Sequence, residues 1–135
     1  MSVSVAYRGL DASIDYKSIS ADTTLTVSDS GKTILLDAVG EAITLPAVKA
    51  GLNYKFLCTA AVITSAWTIT APAKVISGSA QVAGAVVAAA LEDVVTIVHT
   101  KALIGDWVSL QCDGSAWYVE GSAVTAAAIT FTGAA

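Results

Sequence analysis

The chain holds few residues that could perform chemistry, and its single histidine, His99, is the first to consider. A Ser-His-Asp arrangement could be assembled around it, because serines and aspartates are plentiful, but no G-x-S-x-G elbow or comparable local motif is present. In a predicted strand His99 alternates with Val95 and Ile97, which favours a histidine at the edge of the core. The pattern therefore does not predict a nucleophilic triad.

Metal and phosphate sites have equally little support. Cys58, Cys112 and His99 lie far apart, whereas a zinc site needs several such ligands at close spacing. A G-K-T sequence at 31–33 resembles the end of a P-loop, but Thr26 occupies the position of the earlier glycine and a strand-like run follows. We therefore expect no catalytic residue, no metal and no cofactor, and hence no enzyme. A calcium loop among the turn aspartates and a carboxylate pair among the three glutamates are the less supported alternatives.

Aromatic side chains are the better candidates for binding. Trp107 lies on the opposite face of its predicted strand from Val108 and Leu110, and Trp117 and Tyr118 point to opposite faces of the next strand. If this sheet has one solvated face, at least one of these rings faces outwards and could anchor a protein interface or stack on a sugar. The alternative is that the rings pack in the core.

The elements that must position these residues are short β-type runs separated by turn residues. Asp113-Gly114 between two alternating runs is a strong hairpin signal. Nine or ten such strands predict an all-β, single-domain antiparallel β-sandwich or barrel, jelly-roll-like, with an extended N-terminal arm. Residues 80–91 mix alanine and valine around Gly84 and are predicted as a strand or an apolar loop, with one helical turn as the alternative. The predicted strands are Thr24–Ser28, Thr33–Asp37, Ala42–Leu45, Asn53–Thr59, Trp67–Ala71, Val75–Ser79, Asp93–Thr100, Asp106–Cys112, Ala116–Glu120 and Ala126–Thr132.

Residues 1–22 have a weaker pattern and are predicted as an N-terminal arm or edge strand, followed by a β domain at 23–135. An extended arm of this length could reach on the order of 70 Å and dock on a partner. Its candidate contact residues are Tyr7, Arg8 and Tyr16. Together with Trp107, Trp117 and Tyr118 they form the predicted interface set.

Composition points to buried contacts with other subunits. The chain is 55% hydrophobic and only 13% charged, with a net charge of −4, whereas average domains have about a quarter charged residues. The most apolar stretch, Val82–Leu91, is too short to span a bilayer, and the amino end lacks the pattern of a secretory signal. The few basic residues are scattered, which argues against a nucleic-acid partner. We expect an oligomer, with Cys58 and Cys112 as small buried residues that could pair only if their strands are neighbours.

Two stretches resemble virion proteins of tailed bacteriophages. One is TLTVSDSGKTILLDAVGEAITLPAVKAGLNYKF at Thr24–Phe56, and the other is the hairpin GDWVSLQCDGSAWYV at Gly105–Val119. The second is similar to a G-D-x-V-x-L-x-x-D-G-x-x-W-Y-V closing hairpin found in many such proteins. Together they cover about a third of the chain.

The resemblance implies a capsid decoration (cement) protein or, as an alternative, a tail-fibre or tail-tip module that binds a receptor or glycan. Decoration proteins of this kind are typically homotrimers on the outside of the phage head, where they bridge capsomers. The implied partners are further copies of the chain and the shell of major capsid protein. The implied location is the capsid surface of the virion, after synthesis in the host bacterial cytoplasm. No membrane or nucleic-acid partner is implied.

Overall fold

A computed structural model describes residues 13–133 as two packed β-sheets. Within this range no helix is long and apolar enough to cross a bilayer. The strands are β1 (Tyr16–Ser18), β2 (Thr23–Thr24), β3 (Thr33–Leu36), β4 (Ala42–Thr44), β5 (Asn53–Cys58), β6 (Trp67–Thr70), β7 (Ile76–Val82), β8 (Ala85–Glu92), β9 (Val94–Ile97), β10 (Trp107–Cys112), β11 (Trp117–Ala123) and β12 (Ile129–Thr132); a short 3-10 turn lies at Val27–Asp29.

The predicted all-β sandwich is confirmed. Sheet A has the strand order β1-β3-β5-β10-β11-β7-β8, and sheet B has the order β12-β9-β6-β4-β2. Strand pairing is mixed in both sheets, where the sequence had predicted antiparallel pairing. The β5–β10–β11 strands and the β7–β8 hairpin are antiparallel, whereas β1–β3–β5 and β2–β4–β6 are parallel.

Parallel pairing arises because the chain alternates between the sheets over its first six strands. Odd-numbered strands enter sheet A and even-numbered strands enter sheet B, so residues 16–70 form three turns of a flattened coil. Tyr16 pairs with Thr33, and Thr33 pairs with Lys55, so successive turns differ in length. A coil with unequal turns leaves no fixed-period repeat, which explains why the sequence shows only short runs and turns.

The core lies between the sheets and follows the alternation of side chains along each strand. In β5 the side chains of Tyr54, Phe56 and Cys58 are buried, while the alternate positions are more exposed. Trp67 and Trp117 are the largest fully buried side chains, and the Trp117 ring lies 6.0 Å from that of Tyr54. Such packing of rings and branched side chains provides most of the stability of a sandwich.

Cys58 and Cys112 are free and buried, in agreement with their interpretation as small core residues. They do lie on neighbouring strands, since β5 pairs with β10. In this antiparallel register Leu57 lies opposite Trp107, and Asn53 lies opposite Gln111. Cys58 is therefore next to the start of β10, and Cys112 is next to the start of β5. The two thiols are therefore at opposite ends of the strand pair and cannot form a disulfide.

Residues 1–12 of the predicted N-terminal segment lie outside the described residues. They include the predicted contact residues Tyr7 and Arg8. The remainder belongs to the sandwich. β1 forms one edge of sheet A, and Ile19 is buried in the core. At the other edge of this sheet, the undecided residues 80–91 form the end of β7, the turn at Ala83-Gly84 and most of the long strand β8.

Candidate functional site

The side chains considered for a catalytic or metal site, His99, Cys58 and Cys112, were not predicted to form one. Within residues 13–133, no group of three or more His, Cys, Asp or Glu side chains could hold a metal ion. β9 ends at Ile97, so His99 lies on the exposed loop that follows. The prediction of a core-edge histidine in a strand was therefore wrong, because the turn begins earlier than the run of β-branched residues suggested.

The predicted aromatic set is divided between core and surface. Trp117 is fully buried, so its prediction as a surface contact is corrected: the ring packs between the sheets. Tyr118 is 44% exposed and Tyr16 is 53% exposed. Trp107 is half-buried on sheet A, and Lys55 Nζ lies 4.9 Å from its ring centroid in a cation–π contact.

The outer face of sheet A is a polar platform formed by β5, β10 and β11. Lys55 faces Ser109, and Ser109 faces Glu120, while Gln111 faces both Asn53 and Tyr118. A depression of about 340 Å³ on this face is lined by Gly51, Leu52, Asn53, Ser109, Gln111, Cys112 and Glu120. Amide, hydroxyl and carboxylate groups beside exposed aromatic rings could hold a polar ligand such as a sugar.

The turn after β10 holds the Tyr118 ring in position. Asp113 accepts hydrogen bonds from the Ser115 and Ala116 amides at 2.9 Å, and from Tyr118 Oη at 2.7 Å. The Ser115 amide, then the Tyr118 hydroxyl and the Ala116 amide, hold the pKa of Asp113 well below its usual value. The same bond to Asp113 raises the pKa of Tyr118.

A second surface, here named the apolar loop end, was not predicted from the sequence. Five large apolar residues are exposed on loops at the end of the sandwich where β3, β5 and β11 finish and β10 begins. Ile104 is 72% exposed and Val124 is 70% exposed. The five residues are Val39, Ile63, Leu103, Ile104 and Val124. Exposed apolar groups gathered at one end of a domain are typical of a protein interface.

Asp106 holds the loops of this end together. Its carboxylate is buried and accepts hydrogen bonds from the Leu103 amide at 2.9 Å and the Val124 amide at 3.4 Å. Its carbonyl accepts from the Cys58 amide at 2.9 Å. The side chain of Asp106 thus joins the loop that precedes β10 to the loop that follows β11, and its backbone carbonyl joins both to β5. These bonds hold the segments that carry Ile104 and Val124.

A buried carboxylate at the opposite end fixes β1 to the 3-10 turn. Asp29 accepts hydrogen bonds from the Thr26 amide at 3.0 Å and from Lys17 Nζ at 3.1 Å, and Lys32 Nζ lies 3.6 Å away. Burial opposes its ionisation, but the bonds from Thr26 and Lys17 outweigh burial and hold the pKa of Asp29 below its usual value. The Asp29 carboxylate is thus held by Thr26, Lys17 and Lys32, and we assign it a structural role.

A third surface is the free edge of sheet A at β8. Val86 is 66% exposed and Leu91 is 58% exposed, and residues 75–91 contain no charged side chain. The sequence signal was present in the long uncharged Ala/Val run, but periodicity alone could not tell an exposed edge strand from a buried segment.

No protein-family model matches this chain, and no curated protein sequence matches it.

Proposed function

We propose that this chain is a structural protein of a tailed-phage particle, a decoration protein that attaches to the outside of the capsid and stabilises it by bridging capsid subunits. The observation that carries the proposal is the apolar loop end. It exposes five large apolar side chains on loops anchored by Asp106, in a chain with too few charges to cover its surface. A rigid apolar end is suited to bury against a protein shell.

The two stretches that resemble phage virion proteins are neighbours in the fold, which supports the proposal. Thr24–Phe56 extends from the last residue of β2 through β3 and β4 into β5, and Gly105–Val119 covers β10 and the start of β11. Although distant in sequence, the two stretches meet where β5 pairs with β10, with Tyr54 opposite Leu110. The resemblance therefore concerns one contiguous part of the sandwich.

The proposed partners are further copies of the chain, as a homotrimer, and the major capsid protein. The three apolar loop ends of one trimer would contact the shell together, so their modest individual affinities would combine into strong attachment. The net charge of −4 and the scattered basic residues give no electrostatic basis for a nucleic-acid partner. The protein would be made in the bacterial cytoplasm and function on the capsid surface.

Co-sedimentation with virions of the phage that encodes the chain tests this proposal. The variant Ile104→Asp/Val124→Asp places two charges on the apolar loop end and should reduce binding about 100-fold or more, because desolvating each new charge costs several kcal/mol. Val48→Asp is the matched control, because Val48 is also exposed but lies at the opposite end, before β5. Equal binding of both variants would exclude the loop end as the attachment surface.

A second candidate function is glycan binding by a tail module, favoured by the polar platform on sheet A. Tyr118 is exposed beside the depression lined by Gln111 and Glu120. Its ring is held by Asp113, so it could stack on a sugar without an ordering cost. The Trp107 face is already in contact with Lys55, which leaves Tyr118 as the better stacking ring.

Glycan-array binding distinguishes the two functions. A glycan-binding module should lose its ligand in Tyr118→Ala and retain it in Tyr16→Ala, a control ring at the far edge of sheet A. The decoration protein should bind no glycan, and Tyr118→Ala should leave virion binding unchanged.

A further inference from the structure

β8 is the one long edge strand of the sandwich in the described part of the chain. The edge strands β1, β2 and β12 are two to four residues long, whereas β8 has eight residues and pairs only with β7. It carries no charged residue and no proline before Glu92. Natural proteins usually shorten such edges or protect them with charges or proline, because the unpaired N–H and C=O groups are a template for another strand.

The turn between β7 and β8 determines which backbone groups of β8 are left without a partner. Val82 pairs with Ala85 across the two-residue turn at Ala83-Gly84, and both turn residues have a positive φ, as in a type I′ turn. The closing pair of such a hairpin is hydrogen-bonded, and hydrogen-bonded pairs alternate with non-hydrogen-bonded pairs along an antiparallel ladder. Every second residue of β8 therefore directs its N–H and C=O groups away from β7. These residues are Val86, Ala88 and Ala90.

A β-bulge limits the length of this regular edge. The register of β8 against β7 shifts between Ala89 and Glu92. Within the bulge, the Leu91 amide donates a hydrogen bond to Ser77 Oγ of β7 at 3.1 Å. Because the C=O and N–H groups of one planar trans peptide point in opposite directions, the Ala90 carbonyl faces away from β7. The edge that another strand could use thus extends as far as Ala90 but not beyond the bulge.

We propose that β8 pairs in the antiparallel direction with β8 of a second copy, about a two-fold axis at Ala88. In this register Ala88 lies opposite the same residue of the partner, and Val86 lies opposite the partner's Ala90. All three residues with outward N–H and C=O groups then face each other, which allows about six main-chain hydrogen bonds. Moving the axis to Val87 or Ala89 leaves only two such pairs, because the third residue then faces the partner's turn or lies beyond its bulge. The backbone therefore selects this register, and sheet A continues from one copy into the other.

The side chains and charges along the edge fit a second copy of the chain. Ala88 and Ala90 are small and exposed, and Val86 is 66% exposed. In the proposed register Val86 packs against the partner's Ala90, and no bulky side chains meet at the axis. The net charge of −4 makes two copies repel each other on average, but residues 75–91 are uncharged and keep this repulsion away from the contact. Self-pairing needs the same groups from both copies, and β8 provides them symmetrically about Ala88.

An interface in which β8 meets β8 is isologous, so it joins copies in pairs. It doubles whatever assembly the other surfaces form, and it would link two of the trimers proposed above. The interface itself does not depend on capsid attachment, so it can be tested on the purified protein alone. Its failure would leave the proposal for the apolar loop end untouched.

Single cysteine substitutions test the contact and its register on the purified chain. Ala88→Cys places two thiols opposite each other at the axis, with Cα atoms about 5.5 Å apart, so mild oxidation should give a disulfide-linked pair on a non-reducing gel. Val86→Cys is the matched control on the same exposed face, because its two thiols would lie about 13 Å apart along the strands. The native Cys58 and Cys112 are buried and should not cross-link. Equal cross-linking of the two variants, or none by Ala88→Cys, would overturn the proposal.

A lysine at the axis tests the contact without a covalent bond. Ala88→Lys places two like charges opposite each other and should halve the mass measured by light scattering after size exclusion at the highest concentration of a series. Ala42→Lys is the control and should keep the wild-type mass, because Ala42 is an exposed alanine of the interior strand β4. A wild-type mass equal to that of Ala88→Lys at every concentration would contradict the inference. Cross-linking of Ala88→Cys to a capsid protein, but not to a second copy, would contradict it as well.

Discussion

Replacing Asp106 with alanine should loosen the apolar loop end while leaving the sheets intact. The carboxylate is the buried acceptor for the Leu103 and Val124 amides, and no other hydrogen bond to these two amides is recorded among the described residues. The backbone of position 106 would still bond to Cys58 and Leu103. The lost interactions are thus two hydrogen bonds to a charged group.

The expected cost is about 2 kcal/mol of unfolding free energy. A hydrogen bond to a charged group contributes roughly 1.5–3 kcal/mol. The bond to Leu103 is short at 2.9 Å and should contribute fully, whereas that to Val124 is long at 3.4 Å and should contribute little. Leu103 and Val124 are exposed, so water can partly replace the carboxylate, which keeps the total near the lower part of the range.

Urea unfolding followed by tryptophan fluorescence measures this cost, because Trp67 and Trp117 are buried and report on loss of the core. About 2 kcal/mol should lower the melting temperature by roughly 6–10 °C for a domain of this size. Asp106→Asn keeps one acceptor and should lose less. Asp37→Ala is the control, because Asp37 accepts only one local bond, from the Val39 amide. A change in Asp106→Ala no larger than that of the control would refute the account of how the loop end is held.

Three further outcomes follow from other parts of the sandwich. Because folding lowers the pKa of Asp29, its carboxylate should stabilise the fold above the unfolded pKa of about 3.9, and this stability should be lost as the pH falls through the folded pKa. Asp29→Asn should therefore flatten the acid limb of a curve of unfolding free energy against pH. An unchanged acid limb would contradict this. Gly40→Ala should lower the unfolding free energy measured in urea by about 3 kcal/mol or more, because Gly40 has a positive φ and an added Cβ would overlap the Ser65 carbonyl. Gly31→Ala, with the same φ but open space around the Cβ position, should lower it by about 1 kcal/mol. Equal losses would refute the overlap with Ser65 as a cause. Burial, with a smaller effect from the Asp106 charge, raises the pKa of Cys58 to about 12, so its thiol should react with an aromatic disulfide reagent at pH 8 only as fast as the protein unfolds, and rapid labelling of the native state would count against its burial.

Local patterns were sufficient to predict the sandwich and most of its strands. The predicted strand Thr24–Ser28 was wrong, because the chain leaves β2 at Thr24 and forms a 3-10 turn at Val27–Asp29. Alternation in NYKFLC and WTIT correctly indicated which side chains are buried, and Asp113-Gly114 marked the turn between β10 and β11. Pairing was less accessible, because whether two strands run parallel depends on the path of the connections between sheets. Unequal coil turns hide that path from any search for a repeat.

The candidate surfaces were likewise only partly predictable from the sequence. The sequence pattern was compatible with the exposure of Tyr16 and Tyr118. Alternation places Trp117 and Tyr118 on opposite faces of β11 but does not say which of the two faces the core. Trp117 is buried because its face of the strand packs against sheet B. The apolar loop end was not predictable, because Ile63, Ile104 and Val124 are isolated residues in separate loops. The loops of Ile104 and Val124 are joined by Asp106, and nothing in the sequence around Asp106 indicates a bond to the distant Val124 amide.

The most direct test of the proposed role as a capsid decoration protein is cryo-electron microscopy of virions prepared with and without the gene for this chain. We expect repeated density for the sandwich on the outer capsid surface, with the loop that carries Ile104 facing the shell, and loss of this density when the gene is deleted. Density confined to the tail, or a capsid surface identical with and without the gene, would contradict the account.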